Sequence, residues 1–326
     1  MHPAFSVIFL TTLIGAGQGL FLALFTAQTY ALFDLLPKQD DYAFYAQGSA
    51  LALLFLAGGL VASFFHLGRP ERAWRSATQW RTSWLSREVI VLPAFMGTVF
   101  LYGVAHLLEW KPAVAALPGG AAVDATVVLG AVATVLAFAL YLCTGMIYAC
   151  IRFLREWHTP LTVINYLLLG TASGFTLAAA FAAWVAPALV QFFGGWALIL
   201  VTLGLVGRSW SLVRNRRLKP KSTPQSAIGV KHPRVVQSAQ GFMGGSFNTR
   251  EFFHGASARA LRSVKWLFLV AAFIVPALLL MRGLSDAASG VLALAFAIQY
   301  LGLIAERWFF FAEANHPQNL YYRSVA

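Results

Sequence analysis

Apolar positions along this chain fall into long unbroken blocks, with no helical stripes or strand alternation to mark a soluble fold. Eight such blocks, roughly 4–33, 43–65, 89–108, 122–149, 161–185, 189–207, 265–281 and 289–311, each approach or exceed the ~20 residues needed to cross ~30 Å of hydrocarbon as a helix. A barrel is excluded because its strands would alternate lipid-facing and lumen-facing residues. The pattern therefore predicts an all-α integral membrane protein of eight transmembrane helices. Most connections are short, as between antiparallel neighbours in a bundle.

A resemblance between two segments bears on how the helices group. Gly15 to Phe25 reads GAGQGLFLALF and Gly170 to Ala180 reads GTASGFTLAAA, at corresponding places in the first and fifth blocks. Both carry GxxxG, which lets helix backbones approach closely, and no strand precedes either, so neither is a dinucleotide fingerprint. Taken as a parallel repeat, they divide the chain into two four-helix halves, 1–158 and 159–326. Two glycine-rich helices can also look alike by chance.

Composition sharpens the class. With 59% hydrophobic and 11% charged residues and a net charge of +12, the 326-residue chain is too apolar for a soluble protein. Its first block lacks a basic leader and a small-residue cleavage site, so it reads as a retained helix. Of 24 basic residues, 21 lie in the even-numbered connections and the C-terminal end. By the positive-inside rule those connections and both termini are cytoplasmic in a bacterial inner membrane. The excess charge thus belongs to a membrane face that can meet anionic lipid or an acidic partner subunit, and no nucleic-acid fold is recognisable.

The sixth connection, from Arg208 to Lys265, is the long one. It opens with a basic run containing Arg214, Arg216 and Arg217, and continues with Phe242, Phe247, Phe252 and Phe253. Aromatics at that density favour a loop packed on the protein or on a partner over a disordered linker.

The second connection, HLGRPERAWRSATQWRTSWLSRE from His66 to Glu88, concentrates the chemistry, with five arginines and three tryptophans between a histidine and a carboxylate. Pro70 and Glu71 suit a helix start, and Trp74, Ala77, Trp80 (or Arg81) and Trp84 at near-helical spacing suggest a short interfacial helix. His66 can exchange protons near neutral pH, or simply cap the second helix. Glu88 opens the third block, and paired with His66 it offers a proton path for a quinone, whose reduction takes two electrons and two protons. Gln18 can bond a quinone carbonyl or tie two helices together, and Glu306 and Arg307, about 100° apart on a helix, need not pair with each other.

Metal chemistry has little support. Cys143 and Cys150 alone do not make a cluster, zinc or disulfide framework, and His66 and His106 lie at opposite membrane depths, so no haem and no iron–sulfur cluster is expected in this chain.

The run His66-Leu67-Gly68, Pro70, Arg72-Ala73, Leu85-Ser86 and Glu88, with Gln18 and the Glu306-Arg307 pair, resembles the membrane anchor subunit of dimethyl sulfoxide reductase-type molybdoenzymes, related to the polysulfide reductase membrane subunit. GFMGGSFNTREFF at 241–253 and ERWFFFAEANHPQNLYY at 306–322 are similar to the sulfite-oxidising branch, the anchor of cytoplasmic sulfite dehydrogenase. The resemblance implies an eight-helix subunit that exchanges electrons between a quinone, ubiquinone or menaquinone, and a docked iron–sulfur subunit, which serves a molybdopterin catalytic subunit on the cytoplasmic side. His66 and Glu88 would then handle protons, with Gln18, Arg69 and Ser86 near the quinone. Arg69 stands where some relatives have another residue. Arg72, Arg75, Arg81, Arg87, Arg214, Arg216 and Arg217 would help dock the partner. Three alternatives remain open: an anchor that oxidises quinol for a reductase, a multi-helix solute transporter, and a structural tether without quinone chemistry.

Overall fold

In the computed structural model, residues 3–116, 122–219, 223–235, 257–286 and 288–317 are described. Among them are eight helices of 24 to 30 residues long and apolar enough to span a membrane. Helix α1 (Phe5–Leu32) is followed by a π-helical turn, Asp41–Ala46, that runs straight into α2 (Gln47–Phe64). A 3-10 helix, Pro70–Ala77, leads to α3 (Trp84–Leu107). Strands β1 (Ala113–Ala116) and β2 (Ala122–Asp124) precede α4 (Ala125–Ala149), and α5 (Pro160–Val185) joins α6 (Val190–Arg216) through a 3-10 turn, Pro187–Leu189. After the short α7 (Pro224–Ile228), α8 (Ala258–Leu269) passes through a π turn, Val270–Ile274, into α9 (Val275–Asp286), and α10 (Ser289–Glu313) closes the bundle. The aromatic part of the sixth connection, Phe242 to Phe253, lies outside the described residues.

Three boundaries differ from the apolar blocks, each for a local reason. Helix α3 begins at Trp84, five residues early, because the Ser83 hydroxyl caps it by accepting from the Ser86 N–H at 3.3 Å. Glu88 therefore sits in the second turn, not at the mouth. Helix α6 runs nine residues past 207 because Arg208, counted above with the loop, is buried and neutralised by carboxylates from α10. Helix α8 starts at Ala258, capped by Ser257. Pro276 has no N–H for the carbonyl one turn back, and the π turn just before it absorbs the mismatch.

The one departure from helix among the described residues is small. Strands β1 and β2 pair antiparallel, Ala113 opposite Asp124, in the acidic connection, and Asp124 then caps α4 by accepting from the N–H groups of Thr126 and Val127 at 2.9 and 3.1 Å.

Helices α1 and α5 lie innermost: 72% of each apolar window is buried, against 28–39% for the other six spans. They are the two glycine-rich segments, and they pack on each other. A methyl group on Gly174 would overlap the Gly19 backbone, and one on Gly19 would strike the Gly170 carbonyl. Around this pair α2 and α4 pack on α1, α6 and α10 pack on α5, and α3 lies against α4. The main core runs through both halves, from Phe21, Tyr102 and Leu140 to Phe193, Leu280 and Ala295.

Candidate functional site

A small cavity, partly open to the outside, lies in the half of the bundle nearer the basic end. Its walls come from five helices. From α1 it takes Gly15 and Gln18, from α3 Glu88, from α4 Tyr141 and Thr144, from α5 Tyr166 and Ser173, and from α10 Leu303 and Arg307. The close α1–α5 approach supplies its floor, and the remaining lining mixes Leu10, Ile14 and Leu169 with Thr11, Thr12 and Gly170.

The polar groups are held by bonds that cross between helices. Glu88 is buried and accepts from the Thr144 hydroxyl at 2.5 Å, linking α3 to α4. Gln18 donates its amide to the Ala137 carbonyl at 3.0 Å, so it ties α1 to α4 while facing the cavity. Tyr141 donates to the Gly15 carbonyl at 3.0 Å. Each bond satisfies a group that would be costly to leave bare away from water.

Behind α10 stands a buried charge cluster. Glu306, fully buried, receives Arg307 Nε on one oxygen and Arg208 Nε on the other, both at 2.6 Å, and Arg208 Nη2 lies 3.7 Å from Glu313. Glu306 and Arg307 thus do pair, because the long Arg307 side chain folds back along the helix to its neighbour. The Arg307 guanidinium lies 4.2 Å from the Tyr166 ring centre and 4.9 Å from that of Phe310, a cation–π arrangement that partly replaces water around the charge. Charges this deep persist only when matched.

The residues singled out from the sequence divide. Gln18, Glu88 and Arg307 are brought together in one cavity. His66, Arg69 and Ser86 are not on its wall. His66 is exposed just beyond the end of α2, where the chain leaves the bundle, and partial burial holds its imidazole below the usual range, which favours the neutral form. Ser86 is buried but sits two residues from Glu88, about 200° round the helix, so it faces elsewhere. Arg69 is exposed ahead of the 3-10 helix. On that loop Arg75 and Arg81 lie over Trp74 and Trp80, and Arg72 is 3.8 Å from Glu71, all at the surface. Arg87 instead ties the loop down, donating to the carbonyls of Trp80 and Arg81. Arg214 is likewise engaged with the Arg155 carbonyl at 3.0 Å, while Arg216 and Arg217 are exposed.

Sequence reasoning passed over Tyr141, Thr144, Tyr166 and Arg208. Tyr141 and Thr144 are one turn apart on α4, and that spacing of two hydroxyls inside an apolar block was the available signal.

Fold and site together define a polytopic helical membrane protein with a mixed polar and apolar cavity among its innermost helices. A profile of the family described as DMSO reductase anchor subunit (DmsC) matches residues 1–221, about two-thirds of the chain, which therefore belongs to that family. Over all 326 residues, covering both proteins completely, it is 59% identical to a sulfite dehydrogenase subunit of Allochromatium vinosum.

Proposed function

We propose that the chain is the membrane anchor and quinone-reactive subunit of a molybdopterin oxidoreductase complex, coupling sulfite oxidation to quinone reduction. The observation that carries the reading is the cavity: a membrane-embedded space of mixed polar and apolar lining that collects Glu88, Gln18, Tyr141, Tyr166 and Arg307. The full-length likeness to a sulfite dehydrogenase subunit favours sulfite as the substrate of the partner.

In this reading the basic end is cytoplasmic in a bacterial inner membrane, and an iron–sulfur subunit docks there and brings electrons from a molybdopterin subunit. Exposed arginines on the second and sixth connections, Arg72, Arg75, Arg81, Arg216 and Arg217, meet the partner's acidic surface. Each quinone reduced takes two electrons from that partner and two protons from the cytoplasmic side. Glu88, held by Thr144, passes a proton to an oxygen in the cavity, and Gln18, held by Ala137, shapes the wall beside it. His66, outside the cavity, exchanges protons with water at the surface.

The test is purification of the tagged protein in mild detergent, followed by partner masses, molybdenum and iron content, and sulfite-dependent reduction of a short-chain ubiquinone. Two larger subunits, both metals and quinone reduction are expected. A metal-free protein purified alone, under conditions that keep comparable complexes intact, would overturn the reading. Sulfoxide-dependent quinol oxidation by the same preparation would assign the reductive direction that the family description suggests.

A further inference from the structure

We infer that Arg307, with Tyr166 beside it, binds one oxygen of the quinone and stabilises the negative charge which that oxygen gains on reduction. The inference rests on the cavity being the quinone site.

One wall of the cavity presents a buried guanidinium with a donor to spare. Arg307 is 4% exposed and Tyr166 7% exposed, and both line the cavity. Arg307 spends Nε on Glu306, but its Nη1 has no hydrogen-bond partner among the described residues. The guanidinium lies over the Tyr166 ring and interacts with its hydroxyl, which also meets Tyr148, so Arg307 and Tyr166 face the cavity as neighbours. Buried donors are nearly always satisfied, and a charged one left bare is the costlier kind. Glu88, Thr144, Gln18 and Tyr141 all have partners. What Arg307 Nη1 lacks is an acceptor, and a quinone oxygen is an acceptor suited to a cavity of mixed polar and apolar lining.

The charge cluster explains why the donor is an arginine held so rigidly. Glu306 divides its two oxygens between Arg307 and Arg208, and Glu313 stands 3.7 Å from Arg208, so the cluster is matched in charge and holds the Arg307 guanidinium in place at the cavity wall. Guanidinium stays charged at any working pH, so Arg307 gives no proton. It contributes a fixed field and a hydrogen bond, both stronger toward an oxygen carrying negative charge than toward a neutral carbonyl. Arg307 thereby favours electron arrival, while the protons come by way of Glu88.

The experiment uses the intact complex and two readouts, equilibrium binding of a fluorescent quinone-site inhibitor and steady-state turnover with a short-chain ubiquinone. Arg307→Gln should weaken inhibitor binding about tenfold or more, the scale of losing a charged hydrogen bond. It should also raise the KM for quinone and lower kcat, with dye-linked sulfite oxidation unchanged. Arg307→Lys, which keeps the charge but loses the second row of donors, should fall between, and it decides the matter if the glutamine variant does not assemble. Wild-type affinity in either variant would overturn the role of Arg307. Failure of the inhibitor to bind the unmutated complex would remove the quinone reading of the cavity, and this inference with it.

Discussion

At the residue scale, the position of Glu88 decides more than its type. A glutamate near a helix N-terminus is ordinary. This one is carried by the Ser83 cap into the second turn of α3, buried against Thr144 and turned toward the cavity. His66, which looked its natural partner in sequence, stays at the surface. The two should separate experimentally: Glu88→Gln lowers quinone-linked turnover by roughly 10²-fold, the lower range for a lost acid or base, whereas His66→Ala lowers it only a few-fold. Turnover in the two variants measured at saturating and limiting quinone checks this, and equal losses would put His66 back in the site. The sequence had shown Gln18 and Arg307 as polar exceptions within apolar blocks and Glu88 at the mouth of one. It did not show the hydroxyls of Thr144 and Tyr166, which are common enough in spans to pass as packing.

At the scale of elements, the fold turns on two helices that approach backbone to backbone. Gly19 and Gly174 leave no room for a side chain, and their contact sets the separation of α1 and α5, hence the floor of the cavity. Gly174→Val must push the helices apart, costing about 3 kcal/mol in packing. The melting temperature of the purified complex should fall, and inhibitor binding should weaken, although residue 174 is not on the cavity wall. An unchanged melting temperature would mean that α5 shifts freely. Helix α6 makes the complementary point. Hydropathy ended it before Arg208, because a lone arginine looks like the water boundary. Its carboxylate partners Glu306 and Glu313 lie about a hundred residues on, so the helix continues through a charge that only the third dimension neutralises.

For the whole molecule, the distribution of basic residues makes a claim about sidedness that can be checked directly. In a background without Cys143 and Cys150, Val114→Cys on the β1 strand should react with an impermeant maleimide added to spheroplasts. Ser226→Cys on α7 should react only after permeabilisation. The opposite labelling pattern would place the cavity end outside and move any docked partner with it.

Eight spans, their ends to within a few residues in most cases, and the asymmetry of charge were legible in the sequence alone. Each depends on the run of residues at one place meeting lipid or water there. The twin glycine motifs were legible too, but not that they face each other. Which polar groups share a cavity, which arginines are buried and which are free to meet a partner were decided only by the tertiary structure. Those properties rest on contacts between helices far apart in the chain, such as Gln18 with Ala137, Glu88 with Thr144 and Arg208 with Glu306, and hydropathy along one helix carries no record of its neighbour.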